Sequence, residues 1–400
     1  MPEQLTGPDA DPTDVDRAKP GPADAGSDVD ATADATVDAA ATDATTDSGP
    51  VQTPRAVTLS VAVLATMALL AALVFVPVPY AVGGPGPTRN TLGEQDGTPL
   101  IEISDAPTFE STGELRLTTV SYSGGPGYPV TLPTVLDAWI SGSKVVSPVE
   151  NVFPSDRSQD EIDEENAAEM VSSQENATVA ALEELGYAVP AKLVVAGTVD
   201  GTGAVGVVQE GDVLVALEGA PVETYTELVE ALGEIAPGQN VSLGIERDGA
   251  PLDVEIVTGE RETGGSQLGV FIDPAFELPV DVKIQIEDIG GPSAGTMFAL
   301  GIIDKLTPQD EVNGQIIAGT GTMDVDGTVG PIGGIRQKLV GARRDDATWF
   351  LAPADNCDEV VGHVPAGLHV ARVATLAEAR AAIEAIGAGD GESLATCTAG

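Results

Sequence analysis

The chain has 400 residues, 42% of them hydrophobic, which is enough for two or three domains with sizeable cores. Its 63 acidic residues outnumber 18 basic ones, and the formal net charge is −45. This charge argues against nucleic acid as a partner and against adsorption to an anionic membrane surface, because both attract clustered lysine and arginine.

Residues 1–54 form a low-complexity tail rich in Ala, Asp and Thr. The tail has no aromatic residue, and it holds twelve acidic and two basic side chains. Low hydrophobicity combined with high charge cannot offset the chain entropy that folding would cost. We therefore predict a disordered tail and assign it no activity.

An uncharged segment of 33 residues lies between Arg55 and Arg89. Its first part, from Ala56 to about Val78, is long enough to cross about 30 Å of hydrocarbon and has no polar stripe. A cleavable signal peptide is the main alternative, but the acidic leader is long and no convincing small-x-small cleavage site follows. We predict one transmembrane helix at residues 55–80. Arg55 mildly favours a cytoplasmic N-terminus with the C-terminal domains outside the cell membrane; an inverted anchor would place them in the cytoplasm.

The chain has two cysteines and two histidines. Outside the membrane Cys357 and Cys397 would lie in an oxidising compartment, so we predict a disulfide between them, with two free thiols as the alternative. His363 and His369 are six residues apart, a spacing that matches neither HExxH nor an i,i+4 zinc pair. We expect no metal site and no cofactor.

Residues 81–190 are predicted to be an extracytoplasmic α+β region that packs on the domain farther along the chain. The segment "GELRLTTVSY" (113–122) reads as a strand followed by a Gly/Pro turn. From Ser158 to the stop at Gly186 the chain has good helix formers and acids in the first turns, which predicts a helix with one buried and one acidic, solvated face.

Residues 191–262 alternate short apolar strands with Gly-Asp, Glu-Gly and Asp-Gly turns around one helix, Thr224 to Ile235. The pieces "QEGDVLVALEGAPV" (209–222), "YTELVEALG" and "SLGIERDG" (242–249) resemble a PDZ domain of bacterial proteases. This resemblance implies a β-rich domain that binds extended peptides at a sheet edge. We take "AKLVVAG" (191–197) as the peptide-binding loop of this domain. Because it is not a glycine-hydrophobic carboxylate clamp, we expect general peptide docking rather than recognition of C-termini.

A serine in a glycine loop, "GGPSAG", lies between the strand-like "VDVKIQI" (280–286) and the apolar helix "SAGTMFALGIIDKL". Ser293 there either caps the helix or acts as a nucleophile with backbone N–H groups as an oxyanion site. A serine nucleophile needs a base, and a buried lysine can serve when its pKa is depressed. Of the later lysines, Lys283 lies upstream of the loop and Lys305 three turns away, which leaves Lys338 in "GPIGGIRQK". Lys338 either points inward beside the apolar residues of its helix or lies at the solvated surface next to Arg336.

The two segments together resemble the proteolytic domain of Lon proteases, over residues 265–387 with residues 388–400 as a C-terminal tail. The resemblance implies an α/β domain with Ser293 as nucleophile, Lys338 as general base and Thr320 as the residue that orients the lysine. Backbone N–H groups of Ser293 and Ala294 would form the oxyanion hole. Gly290 stands where many Lon enzymes have an acid three residues before the serine, and the chain contains no G-x-x-x-x-G-K-[ST] loop.

Anchor, PDZ-like region and Lon-type domain in this order resemble the membrane-anchored Lon-like proteases with a PDZ domain. We therefore expect an ATP-independent serine endopeptidase that cleaves unfolded or flexible polypeptides at the outer face of the membrane, with the PDZ-like region docking or gating substrate. Analogy with the family also suggests a homo-oligomer. The alternative is a catalytically inert, membrane-anchored adaptor that only binds peptides.

Overall fold

The computed structural model describes residues 54–95, 97–125, 127–261, 265–286 and 289–398. By its contacts the chain divides into residues 1–63 and residues 64–400. The predicted disordered tail lies outside the described residues except for Pro54. The helices are α1 (Pro54–Val74), α2 (Leu132–Ser141), α3 (Val149–Val152), α4 (Gln159–Glu184), α5 (Tyr225–Gly233), α6 (Gly295–Leu306), α7 (Ile335–Arg344), α8 (Cys357–Val360) and α9 (Leu376–Ala388).

The longest strands lie in the two large sheets. They are β1 (Tyr80–Asn90), β2 (Glu94–Gln95), β3 (Thr98–Pro99), β4 (Ile101–Ser104), β5 (Glu114–Ser123), β6 (Val145–Pro148), β7 (Ala191–Thr198), β8 (Val213–Leu217), β9 (Ala220–Pro221), β10 (Asn240–Arg247), β11 (Ala250–Val257), β12 (Gly259–Glu260), β13 (Ser266–Gln267), β14 (Val270–Phe276), β15 (Asp281–Ile284), β16 (Ile316–Gly319), β17 (Thr322–Met323), β18 (Val329–Gly330), β19 (Trp349–Pro353) and β20 (His369–Val373).

Helix α1 is the candidate membrane span. Within the described chain, Arg55–Val74 is the one helical stretch long and apolar enough, by length and composition, to cross a membrane. The helix ends at Val74, before the predicted limit at residue 80. Pro77 and Pro79 account for the earlier end, since proline lacks the N–H that continues a helix and disfavours helical backbone in the residue before it.

The first large sheet draws its strands from two distant parts of the chain. Its order is β20-β19-β16-β5-β1-β6, so β1, β5 and β6 lie in one sheet with β16, β19 and β20 from the C-terminal part of the chain. Strand β5 runs parallel to β16 and antiparallel to β1. The predicted strand at 113–122 is therefore β5, in the middle of this sheet.

Helices cover both faces of this sheet. Leu351 of β19 packs in one core with residues of α4, α6 and α9, whereas its neighbours Phe350 and Ala352 pack in a second core with α7 and α8. This alternation follows from the period of two in a strand, and it accounts for the apolar sequence of strands buried on both faces. Helix α4 begins as predicted, because Ser158 and Glu161 form a reciprocal capping box.

The second large sheet has the order β11-β10-β8-β7-β14, with β9 paired to β8. Its core includes Leu193, Leu243 and Ile245 from the strands and Leu228 from α5. Strand β14 forms an edge of this sheet and pairs on its inner side with β7. The predicted strand at 280–286 is β15, which pairs with β4 outside both large sheets.

Candidate active site

Ser293 lies two residues before α6, in the loop that leads into this almost fully buried helix. Three contacts fix the loop. The Gly291 N–H donates to the Asn166 carbonyl oxygen at 3.0 Å, and Ser173 Oγ donates to the Pro292 carbonyl oxygen at 3.0 Å. The Gly321 N–H donates to the Ser293 carbonyl oxygen, also at 3.0 Å. The backbone of Ser293 is thus held between α4 and the chain segment after β16.

Lys338 reaches Ser293 from α7. Its Nζ lies 2.7 Å from Ser293 Oγ and 2.8 Å from Thr320 Oγ1, and the residue is only 2% exposed. Burial lowers the pKa of the Lys338 ammonium from 10.5 to about 7. This desolvation is the one cause of the shift, without a charged contributor among the described residues. A lysine with such a pKa is present as the neutral amine in about half of the molecules at pH 7.

Thr320 connects the serine and the lysine. It is fully buried at the end of β16, and its hydroxyl donates to the Ser293 carbonyl oxygen at 2.9 Å. Because the Thr320 hydroxyl proton is used in this hydrogen bond, Thr320 Oγ1 acts as an acceptor toward Lys338 Nζ. Gly321 follows with a φ of +151°, and a Cβ there would lie 2.4 Å from Thr296 Oγ1, so the turn that holds Thr320 needs a glycine.

Two backbone amides beside Ser293 are free to bind an oxyanion. Within the described part of the chain, neither the Ser293 N–H nor the Ala294 N–H has a hydrogen-bond acceptor. Both lie at the N-terminal end of α6, where the helix dipole favours negative charge. The predicted Ser293, Lys338, Thr320 and Ala294 thus meet at one place.

A cleft of about 460 Å³ opens onto Ser293 and Lys338. One wall is β5 from Thr118 to Tyr122, and the other includes Asn166, Glu169 and Met170 of α4. Strand β16 pairs with β5 only as far as Leu117, whereas β5 continues to Ser123. The last part of β5 therefore has one edge that faces the cleft instead of another strand.

The contribution of α4 to the site was not predicted from the sequence. Asn166, Met170 and Ser173 lie at spacings of four and three on the side of α4 that contacts the loop, and Met170 and Ser173 are buried. A signal was present in the sequence: Asn166 and Ser173 are uncharged and share one side of the helix with the apolar Met170, whereas other positions of α4 are acidic. The same contact explains the absence of an acid at Gly290, because a Cβ there would lie 2.7 Å from the Cβ of Asn166.

The cysteines and histidines lie outside the cleft. Cys357 and Cys397 form a disulfide, which ties the C-terminal segment to α8. His363 contacts the Val361 carbonyl oxygen, and His369 stacks on Trp349 with ring centroids 4.8 Å apart. Among the described residues no group of three His, Cys, Asp or Glu side chains is arranged to hold a metal ion.

A second groove lies between α5 and β14. It is lined by Tyr225, Val229 and Leu232 on the helix and by residues 266–270 and Ile272 on the other side. Ser266 Oγ donates to the Leu232 carbonyl oxygen at 2.9 Å and closes one end. The assignment of 191–197 as the peptide-binding loop was wrong, because that segment is strand β7, inside the sheet. The segment that faces α5 reads "SQLGVFI", which does contain a glycine between apolar residues.

Comparison with known families agrees with both parts of the structure. Residues 280–382 match the Lon protease (S16) C-terminal proteolytic domain, and residues 169–258 match a PDZ domain. The chain therefore contains a Lon-type proteolytic domain and a PDZ domain, in a mixed α/β fold with one candidate apolar helix near the N-terminus. Both resemblances found in the sequence are confirmed.

Relatives match over parts of the chain. Lon protease 1 of Sorangium cellulosum (strain So ce56) is 39% identical over 29% of this chain and 15% of its own length. The periplasmic pH-dependent serine endoprotease DegQ of Escherichia coli (strain K12) is 36% identical over 21% of this chain and 18% of its own. Lon protease of Aquifex aeolicus (strain VF5) is 33% identical over 24% of this chain and 12% of its own. The chain thus spans less than a fifth of the length of each.

Among solved structures, the PDZ domain of the SdrC-like protein Lin2157 from Listeria innocua matches 20% of this chain, and the match includes 92% of the solved domain. Its sequence identity is 15% and the TM-score is 0.20.

Proposed function

We propose that this chain is an ATP-independent serine endopeptidase in which Ser293 is the nucleophile and Lys338 the general base. The observation that carries the proposal is the 2.7 Å separation of Lys338 Nζ and Ser293 Oγ in a buried site where the lysine pKa falls to about 7. A serine hydroxyl becomes a useful nucleophile only when a base of suitable pKa lies within hydrogen-bond reach.

The reaction proceeds in two halves. Neutral Lys338 accepts the Ser293 hydroxyl proton while Oγ attacks the scissile carbonyl carbon, and the Ser293 and Ala294 N–H groups bind the oxyanion that forms. The Lys338 ammonium then gives its proton to the leaving amine as the C–N bond breaks. A water molecule loses a proton to Lys338 and attacks the acyl-enzyme, and the same proton returns to Ser293 Oγ when the acid product leaves.

The role of Thr320 is to hold the lysine in position. It accepts a hydrogen bond from the Lys338 ammonium and is itself anchored on the carbonyl oxygen of Ser293. Because it touches both partners without taking a proton, removal of its hydroxyl should lower activity less than removal of either Ser293 or Lys338.

Extended polypeptides are the substrates that the cleft favours. A chain lying along Thr118–Tyr122 would add a strand to the open edge of β5 and bring a peptide carbonyl to Ser293. This chain has no phosphate-binding motif of a motor, so it would depend on segments that are already unfolded or flexible. The groove between α5 and β14 would dock a second extended segment of the same polypeptide, or gate its entry.

We further propose that α1 anchors the protein as a single-pass helix, with its N-terminus in the cytoplasm and the proteolytic and PDZ domains outside. The apolar length of Arg55–Val74 supports the anchor. The Cys357–Cys397 disulfide supports the outward orientation, because such bonds persist in oxidising compartments. Protease treatment of intact cells, with and without permeabilisation, tests the orientation; protection of the PDZ domain until permeabilisation would reverse it.

A peptidase assay on the full chain in detergent or nanodiscs tests the catalytic proposal. An unfolded, fluorescently labelled protein is the substrate, and the variants are Ser293→Ala, Lys338→Ala and Thr320→Val. Lys283→Ala is the matched control, since that lysine is 62% exposed and pairs with Asp281 at the surface. We expect loss of turnover in the first two variants and wild-type turnover in the control. Equal activity in all of them would exclude the dyad.

The adaptor is the competing function. If the wild-type chain binds the labelled polypeptide but does not cleave it, in detergent and in nanodiscs alike, the inert adaptor is the better description. The assay uses the full chain, because removal of the residues before about 85 would cut into β1, which begins at Tyr80 and belongs to the first large sheet.

A further inference from the structure

Helix α2 has apolar residues on two sides. Val135 and Ala138 pack inward in a small core with Val82 and Val130. Leu136, Trp139 and Ile140 face outward and are 44%, 66% and 85% exposed. The i, i+3, i+4 spacing puts these three on one side of the helix. Because the outward side of a helix on a globular protein is normally polar, this side calls for a partner.

The outward side of α2 lies close to the end of α1 along the chain. Phe75 and Val76 follow the helix and are exposed, and Pro77 forms a β-bridge with Thr131, the residue immediately before α2. Two residues lie between Val74 and that bridge at Pro77, so the start of α2 lies within roughly 15 Å of the last residue of the span. Any bilayer that α1 enters is therefore within reach of α2.

The exposed residues around this point have the composition of a membrane interface. We define the outer apolar face as Phe75, Val76, Tyr128, Leu136, Trp139 and Ile140, all of which are exposed. Aromatic residues with a polar tip, such as Trp139 and Tyr128, concentrate at the boundary between headgroups and acyl chains. The charges nearest in sequence, Asp137 and Lys144, pair with each other at 2.7 Å.

We propose that the outer apolar face lies in the headgroup region of the bilayer that α1 spans, with α2 in the plane of the membrane. The proposal rests on the membrane anchor proposed above. It depends on apolar burial, not on charge, and therefore agrees with an acidic protein that anionic surfaces would repel. A second copy of the chain fits less well, because a stable protein interface takes about 20–30 residues a side and this face has six.

Docking in this way would bring the cleft to the membrane. Strand β5 lines the cleft as far as Tyr122, and the turn that follows joins the Gly124 N–H to the Tyr128 carbonyl oxygen at 2.8 Å. One end of the cleft is therefore six residues along the chain from the outer apolar face. Polypeptide segments that emerge from the bilayer would be the substrates nearest to Ser293.

Tryptophan fluorescence of the full chain in phosphatidylcholine nanodiscs tests the docking. The chain has two tryptophans, so the difference between wild type and Trp139→Phe isolates the emission of Trp139. We expect lipids brominated near the headgroup to quench this difference emission by about twofold or more, and aqueous iodide to quench it weakly. In a Leu136→Glu, Ile140→Glu variant iodide should quench Trp139 strongly. Val171→Glu, at an exposed valine on α4 outside the face, is the matched control and should behave as wild type.

The outcomes separate the anchor from the docking. If the chain does not co-elute with nanodiscs, the anchor is wrong and the docking falls with it. If it co-elutes but iodide reaches Trp139 freely and brominated lipid does not, the anchor stands and the docking is wrong. Protection from both quenchers would indicate a protein partner on this face and would equally overturn the proposal.

Discussion

Replacing Lys338 by methionine should abolish peptidase activity and at the same time stabilise the fold at neutral pH. The unfolded lysine binds a proton below about pH 10.5, whereas the folded one does so only below about pH 7. Between these values the unfolded state holds one proton more, so the contribution of this group to stability rises with pH and is lost as the pH falls. The shift of about 3.5 units, at 1.36 kcal/mol each, makes the buried lysine cost about 5 kcal/mol at pH 7 and below.

Methionine keeps the apolar stem and removes this cost, but it also removes the hydrogen bonds to Ser293 Oγ and Thr320 Oγ1. At about 1 kcal/mol each, these offset about 2 kcal/mol. Lys338→Met should therefore be more stable than wild type by about 3 kcal/mol at pH 7, on the order of 4 °C in Tm, and the two should become equal near pH 9.

Thermal unfolding of both proteins from pH 6 to pH 10, in the same detergent, measures this difference, with Lys283→Met as a surface control. A Lys338→Met variant less stable than wild type at pH 7, or a difference in Tm that does not change with pH, would contradict this prediction. Either result would mean that the folded lysine keeps an ordinary pKa, and the role of Lys338 as a neutral base would lose its physical basis.

Three further predictions concern the same domain. The kcat/KM of wild type should rise about tenfold per pH unit below pH 7 and level off above it, because only the neutral amine of Lys338 accepts the serine proton; a flat profile from pH 5 to 9 would contradict this. Burial raises the pKa of Asp304 from 3.8 to about 6, so its stabilising contribution is complete below pH 4 and lost as the pH passes 6. Asp304→Asn should thus raise the free energy of unfolding by up to about 3 kcal/mol at pH 8 and by little at pH 4, and an equal gain at both would exclude titration as the cause. Gly290→Ala should lower kcat by on the order of tenfold or more, because its Cβ would displace the serine loop from α4; Asn166→Gly in the same chain should restore most of the loss, and no recovery would reject the steric explanation.

The sequence predicted elements whose signals are local. The start of α4 was readable from Ser158 and the acids that follow, and β5 and α6 from their apolar patterns. The pairing of β5 with β16 could not be predicted. About 200 residues separate the two strands, and the residue pattern of a strand does not determine which other strand it pairs with. The PDZ groove was misjudged for a related reason: the segment facing α5 comes at the end of that domain, after β11, and not at its beginning.

At the site, the residues alone left Ser293 undecided between a helix cap and a nucleophile. The resemblance to Lon proteases singled out Lys338 and Thr320, and the structure brings both within 3 Å of a serine-loop atom. The burial that tunes the lysine was not readable, since Arg336 beside it suggested a solvated helix face. The supporting contacts of Asn166 and Ser173 depend on how α4 crosses the loop, and no local pattern encodes that crossing.

Because burial lowers the Lys338 pKa, the strength of the base depends on how much water reaches it. Among the described residues no charge contributes to the shift, and Lys338 lines a cleft that is open to solvent until a polypeptide fills it. A substrate strand along β5 would remove more water from the lysine and lower its pKa further. The pKa that governs kcat, which belongs to the enzyme with substrate bound, should therefore lie below the pKa that governs kcat/KM, which belongs to the free enzyme. Measuring both profiles on one substrate checks this, and a higher pKa in kcat would show that the bound substrate admits water or places a negative charge near the amine.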